Sequence, residues 1–127
     1  MNAHVISIKG SNRRNKALER AKNYDFNLTF FDATNLAKIE IKDCKEFFNI
    51  EKFISRYSRN PSSGDIGCSI SHYALWKKLS SDSNDPFHLI LEDDFVPKVN
   101  ASEILKIVTE VNENFDILIL GYSKVQE

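Results

Sequence analysis

The stretch Phe87-His88-Leu89-Ile90-Leu91-Glu92-Asp93-Asp94 decides how this chain is read. A short apolar run closed by three consecutive carboxylates predicts a strand from Phe87 to Glu92 whose end is heavily charged, with Pro97 stopping further pairing. Two carboxylates roughly 6 Å apart repel by about 3 kcal/mol at an effective dielectric of about 20. A divalent cation turns that repulsion into attraction. Hard ions such as Mg²⁺ or Mn²⁺ favour carboxylate oxygens and often hold substrate phosphates in their remaining positions. The alternative is a solvated acidic turn after an edge strand. Side chains alternate along an extended chain, so Glu92 and Asp94 are expected on one side, as the pair that shares an ion. Asp93 would then lie on the other, facing a sugar hydroxyl or a backbone amide.

Working outward, Ala3 to Ile8 is a β-branched run followed by Gly10-Ser11-Asn12, the pattern of a buried strand ending in a loop. Asn15 to Asn23 predicts a helix with Ala17, Leu18 and Ala21 inward, and Asn27 to Phe31 a second strand. Between Asp32 and Arg59 the pattern is irregular, with helical packing expected around Cys44 to Tyr57. Asp65 is placed to cap a helix from Ile66 to about Leu79. That helix is apolar around most of its circumference and is expected to be covered from two directions, with Trp76 in the core. Asn100 with Glu103 three residues on has the form of a capping box ahead of Ile104, Leu105, Ile107, Val108 and Val111. Asp116 to Gly121 reads as a central strand buried on both faces. This alternation predicts an α/β architecture built on a mostly parallel sheet.

With 127 residues and 42% hydrophobic content the chain can bury one core. The formal net charge of −1 gives no polyelectrolyte basis for binding nucleic acid. Charge is nevertheless segregated: residues 1–60 carry 12 Lys and Arg against 7 Asp and Glu, and residues 61–127 carry 5 against 11. That suits an anion held by one half and a cation by the other. Cys44 and Cys68 do not form a disulfide framework, so a reducing compartment and two small buried residues are expected. No basic leader with a long apolar core and no run of about 18 apolar residues occurs, so a chain that is neither exported by that route nor membrane-spanning is expected.

In open α/β sheets ligands gather outside the carboxyl ends of the strands, where this chain places Arg13 and Arg14, Asp32, and Glu92 to Asp94. Arginine forks suit a diphosphate, although a solvated loop is the simpler reading of that pair. Asp32 fits a cap or turn as well as a ligand contact, and His72 fits a hydrogen-bonded core residue as well as a catalyst. No nucleophile motif, phosphate-binding glycine loop or zinc-protease helix is present.

Five blocks in order carry a resemblance. They are His4-Val-Ile-Ser-Ile with Arg13-Arg14, Phe31-Asp-Ala33, Gly64-Asp-Ile-Gly-Cys-Ser-Ile-Ser-His72 with Leu75-Trp76, Ile90-Leu-Glu-Asp-Asp94, and Asp116-Ile-Leu-Ile-Leu-Gly121. Together they resemble glycosyltransferase family 25, the bacterial lipooligosaccharide galactosyltransferases and their relatives. The Gly64 to His72 segment is the most diagnostic. The first loop, Lys9-Gly-Ser-Asn-Arg13, departs from the family's Asn-Leu-x-x-Arg pattern.

The resemblance implies a GT-A-like nucleotide-diphospho-sugar transferase fold over residues 1–127, as a truncated single domain equivalent to the N-terminal half to two-thirds of the family. It implies a UDP-sugar donor, usually UDP-galactose, and a lipid-linked oligosaccharide or lipopolysaccharide acceptor. The setting would be cytoplasmic, with peripheral association at the inner face of the membrane. Glu92 and Asp94 would hold Mn²⁺ or Mg²⁺, and Arg13, Arg14, Asp32, Ser71, His72 and Asp93 would bind the donor. Hexose transfer would proceed with inversion; no residue is assigned as general base. A catalytically inactive remnant that serves as an interaction module, self-associating through an exposed edge, is the alternative, and a metal-dependent phosphatase a third reading.

Overall fold

Segments rich in β-branched and aromatic residues line up side by side in the computed structural model, which describes residues 2–36, 44–81, 86–111 and 114–121. Part of the irregular stretch after Asp32 and most of the polar turn expected from Ser80 to Pro86 lie outside them. Three strands, β1 (Asn2–Ser7), β2 (Asn27–Asp32) and β3 (Leu89–Glu92), form a parallel sheet in the order β2-β1-β3. Ser7 sits opposite Asp32, and Ile6 lies between Phe31 and Glu92. The central strand is therefore the most buried, with Ala3 and Val5 fully enclosed. The parallel α/β architecture agrees with the sequence reading.

Among the described residues four helices accompany the sheet: α1 (Arg13–Lys22), α2 (Ile50–Tyr57), α3 (Ser63–Leu79) and α4 (Ala101–Glu110). The crossover β1-α1-β2 moves from the central strand to one edge, and β2-α3-β3 moves back over β1 in the opposite direction. Right-handed connections then place α1 and α3 on opposite faces of the sheet. Leu75 and Leu79 of α3 pack on Ile6, Phe31 and Ile90. Enclosing each such leucine contributes about 2 kcal/mol. On the other face α1 buries only Ala17 and Ala21, while Leu18, expected inward, is exposed. Two small residues one turn apart let this polar helix lie close to the strands.

Local chemistry sets the helix ends. Gly10 takes a φ of 78°, a left-handed conformation that disfavours other residues, in a turn closed by the Ser11 amide on the Ile8 carbonyl. The N-cap of α3 is Ser62, not Asp65: Asp65 occupies the third helical position and completes a reciprocal box with Ser62. Arg59 donates two hydrogen bonds to Asp65 and lies over the Phe53 ring. Those bonds, and the ones from Ser62, hold the Asp65 carboxyl well below the usual carboxylate range. The expected Asn100–Glu103 box is present, and the Ala101 amide ties α4 to the Tyr24 carbonyl after α1.

Two expectations of burial are corrected. Helix α3 is covered from one side among the described residues: Ile66, Gly67, Ser71, Leu75 and Leu79 form a single buried stripe, and Tyr73 and Trp76 are about half exposed. Its apolar circumference reflects exposed aromatic rings; Trp76 meets the His72 ring edge-on at 6.0 Å. The run Asp116 to Gly121 forms no strand, and Ile119 is 82% exposed. The sheet ends at β3 among the described residues, and this run pairs with neither of its edges. Helical packing after Cys44 comprises a turn, in which the Phe47 and Phe48 amides donate to the Cys44 carbonyl, and α2, whose Phe53 ring lies tilted against Phe48 and Tyr57.

Candidate functional site

Helices α1 and α3 lie on opposite faces of the sheet, so a crevice opens where β1 and β3 end side by side. A cleft of about 460 Å³ occupies that place, within the usual range for small-ligand sites. Its floor is Ser7 at the end of β1 and Asp93 after β3; its walls are residues 33–36 after β2 and the first turns of α3.

Neighbours in sequence separate here. Glu92 pairs in register with Ile6, so it projects toward the α3 face, where its Oε1 lies 3.3 Å from Nε2 of His72 and 3.7 Å from Sγ of Cys68. Asp93 turns to the α1 face, is 8% exposed, and accepts hydrogen bonds from Ser7 Oγ at 2.7 Å and Arg13 Nη1 at 3.1 Å. Arg20 adds two bonds from one Nη1, to the carbonyls of Asp93 and Phe95. These contacts pin the turn after β3 to both β1 and α1. The extended conformation ends at Glu92, so the alternation expected to bring Asp94 beside Glu92 does not continue; Asp94 is exposed and outside the cleft lining.

Of the remaining expected donor contacts, Arg13, Ser71 and His72 line the cleft, and Arg14 and Asp32 do not. Arg14 bonds the Ser7 carbonyl and the Asp32 carboxylate and lies 4.9 Å over the Phe30 ring, clamping the ends of β1 and β2. The hydrogen bond from Arg14 lowers the Asp32 pKa. Ser71 is buried; its hydroxyl donates to the Gly67 carbonyl at 2.6 Å and accepts from the Thr34 amide at 2.9 Å. It therefore fixes the wall rather than presenting its own hydroxyl. A Cβ at Gly67 would stand 3.1 Å from the Thr34 carbonyl oxygen, so a larger residue there would press that carbonyl back by a few tenths of an ångström. His72, whose alternatives were a core position and a place in the site, is a partly exposed cleft residue.

Cys68 went unnoticed as a site residue. It was expected to be buried, and it is exposed beside Glu92; only Cys44 is enclosed. Partial burial raises the Cys68 pKa and the Glu92 charge adds to the effect, so the thiol stays protonated. Its spacing of four from His72 on a helix was the available signal.

The cleft unites a guanidinium, an imidazole, a thiol and two carboxylates at strand ends, a set fitted to a polar anionic ligand and a cation. The model of the family described as glycosyltransferase family 25 (LPS biosynthesis protein) matches residues 1–127. The chain belongs to glycosyltransferase family 25. A protein of Acanthamoeba polyphaga mimivirus that carries a provisional glycosyltransferase name is 32% identical over 120 residues, covering 91% of this chain and 35% of that protein. The lipooligosaccharide biosynthesis protein lic2B of Haemophilus influenzae is 31% identical over 105 residues, covering 80% and 36%. A glycosyltransferase 25 family member of Aedes aegypti is 28% identical over 136 residues, covering 98% and 22%. The family 25 chain thus spans between about a fifth and about a third of these relatives. Its parallel sheet with flanking helices is the architecture expected of the nucleotide-sugar transferase part that it covers.

No helix among the described residues is long and apolar enough to cross a membrane. For the cation expected of the family, Glu92 offers a carboxylate toward the cleft, and the donors around it are a thiol and an imidazole rather than further oxygens. Glu92 fits a divalent ion; the neighbouring donors fit a transition-series ion better than Mg²⁺.

Proposed function

We propose that this cleft binds the nucleoside diphosphate of a sugar donor and that the chain is the donor-binding part of a hexosyltransferase. In the favoured form it moves galactose from UDP-galactose to a lipooligosaccharide acceptor, with inversion, at the cytoplasmic face of the membrane. The single observation that carries the reading is the convergence of Arg13, His72 and Glu92 on one crevice at the ends of β1 and β3. The family membership and the lipooligosaccharide name of one relative support the choice of substrates.

The residues divide the work by charge. The Arg13 side chain is 64% exposed at the cleft while its guanidinium is tied to Asp93 through Nη1, which leaves the remaining N–H groups for phosphate oxygens. His72 stands beside Glu92 on the same wall of the cleft. A divalent ion at Glu92, Mn²⁺ or Mg²⁺ by family expectation, would neutralise charge that grows on the leaving diphosphate and so favour the transition state over the ground state. Asp93 positions Arg13 and the floor, and Arg14 with Asp32 holds the strand ends in line. Amide hydrogen exchange with saturating UDP and Mn²⁺ tests the placement. Slowed exchange is expected in residues 33–36 and in the first two turns of α3, and protection confined to other segments, or none, counts against it.

A further inference from the structure

Three ligating atoms from two elements meet on the α3 side of the cleft. Cys68 and His72 are four residues apart on one helix, so their side chains share a face. Glu92 reaches them from the end of β3, and Sγ, Nε2 and a carboxylate oxygen all lie within 4.8 Å of one another. Of the two contacts to Glu92, the one from His72 is long for a hydrogen bond, since N–H···O distances centre on about 2.9 Å. As the edges of a coordination tetrahedron they fit. Bonds of about 2.3 Å to sulfur and about 2.0 to 2.1 Å to nitrogen and oxygen, at the tetrahedral angle, separate sulfur from oxygen by about 3.5 Å and nitrogen from oxygen by about 3.3 Å. The observed separations are 3.7 Å and 3.3 Å.

We propose that Cys68, His72 and Glu92 form a three-ligand site for one borderline-soft divalent ion of the Zn²⁺ or Co²⁺ type, with its fourth position open to the cleft. Thiolate and imidazole favour such ions, whereas Mg²⁺ requires a shell of oxygens. Three protein ligands with a free vertex is the pattern of zinc sites that engage a substrate rather than brace a fold. On binding, the Cys68 sulfur gives its proton to solvent as the metal–sulfur bond forms. The free vertex takes an oxygen ligand. That this oxygen comes from a donor diphosphate rests on the function proposed above; the metal site itself does not.

Titration of the full chain with Co²⁺, followed by the thiolate-to-cobalt charge-transfer absorption, tests the site without any activity. A band saturating at one equivalent is expected, retained in Cys44→Ala, lost in Cys68→Ser, at least tenfold weaker in affinity in His72→Ala, and abolished by Zn²⁺ but not by excess Mg²⁺. Absence of the band, or its persistence in Cys68→Ser, overturns the proposal. Cys68 is exposed, so its serine variant folds, which circular dichroism checks. Co²⁺ binding with this band but no affinity for UDP would leave the metal site standing and remove the donor reading. Metal-enhanced UDP binding without the band would do the reverse.

Discussion

Glu92 and Asp93 share a backbone bond and have opposite tasks. Asp93 is enclosed, and its carboxylate answers both the Ser7 hydroxyl and Arg13. Truncation would leave the buried Ser7 hydroxyl without its acceptor and release Arg13 from the floor, so Asp93→Ala is expected to lose about 1 to 3 kcal/mol of stability in urea unfolding. Glu92→Ala removes an exposed side chain and should unfold like the parent. Equal stabilities of the two variants would show that the Asp93 contacts do not hold the floor. The acidic run made a charged strand end legible in the sequence. The division of labour within it was not, because alternation distinguishes Glu92 from Asp93 but says nothing about where the strand stops. The turn after Glu92 removes Asp94 from the pairing that strict alternation would give it.

At the scale of elements, the start of α3 and the loop after β2 form one wall. Gly67→Ala is expected to push residues 33–36 outward and to cost about 1 to 3 kcal/mol, as overpacking does. Gly64→Ala, whose added Cβ would meet only Ser62 Oγ at 3.5 Å, is expected to be neutral or to gain about 0.5 kcal/mol. Thermal unfolding of the two variants compares them directly; the reverse order would contradict the close approach. The box at the N-terminus of α3 also sets a pH dependence. The Asp65 carboxyl titrates below its unfolded value, held there by Arg59 and Ser62. Its contribution is therefore complete above the unfolded carboxylate pKa of about 4 and is lost as pH falls through the lower folded value. Asp65→Asn should flatten the fall in stability below about pH 4, and unfolding curves with unchanged pH slope would exclude this role. Both capping boxes follow from residue spacing, and the Asn100–Glu103 box was legible before the structure. The cap at α3 was misplaced by three residues because aspartate serves at N-cap and at the third position alike.

Over the whole molecule, the β-loop-α-β opening and the parallel order were legible because apolar runs and helical stripes alternate and parallel strands need crossovers. The run after Asp116 was not, because an apolar run encodes a preference for burial without naming the partner strand. The same limit applies to α3, whose Tyr73 and Trp76 read as covered on its two sides and are about half exposed. The sheet and its crossovers bring together at one edge residues separated by as many as 86 positions. The cleft is thus a product of topology more than of any one motif, and its proposed ligand must touch groups from both halves of the chain. Calorimetric titration with UDP, in the presence and absence of Mn²⁺, tests that claim most directly. Saturable binding that Mn²⁺ strengthens at least tenfold is expected, with the enhancement abolished in Glu92→Ala and retained in Asp94→Ala. Binding that is absent, or that is equally strong with and without the ion in the parent and in Glu92→Ala, would contradict it.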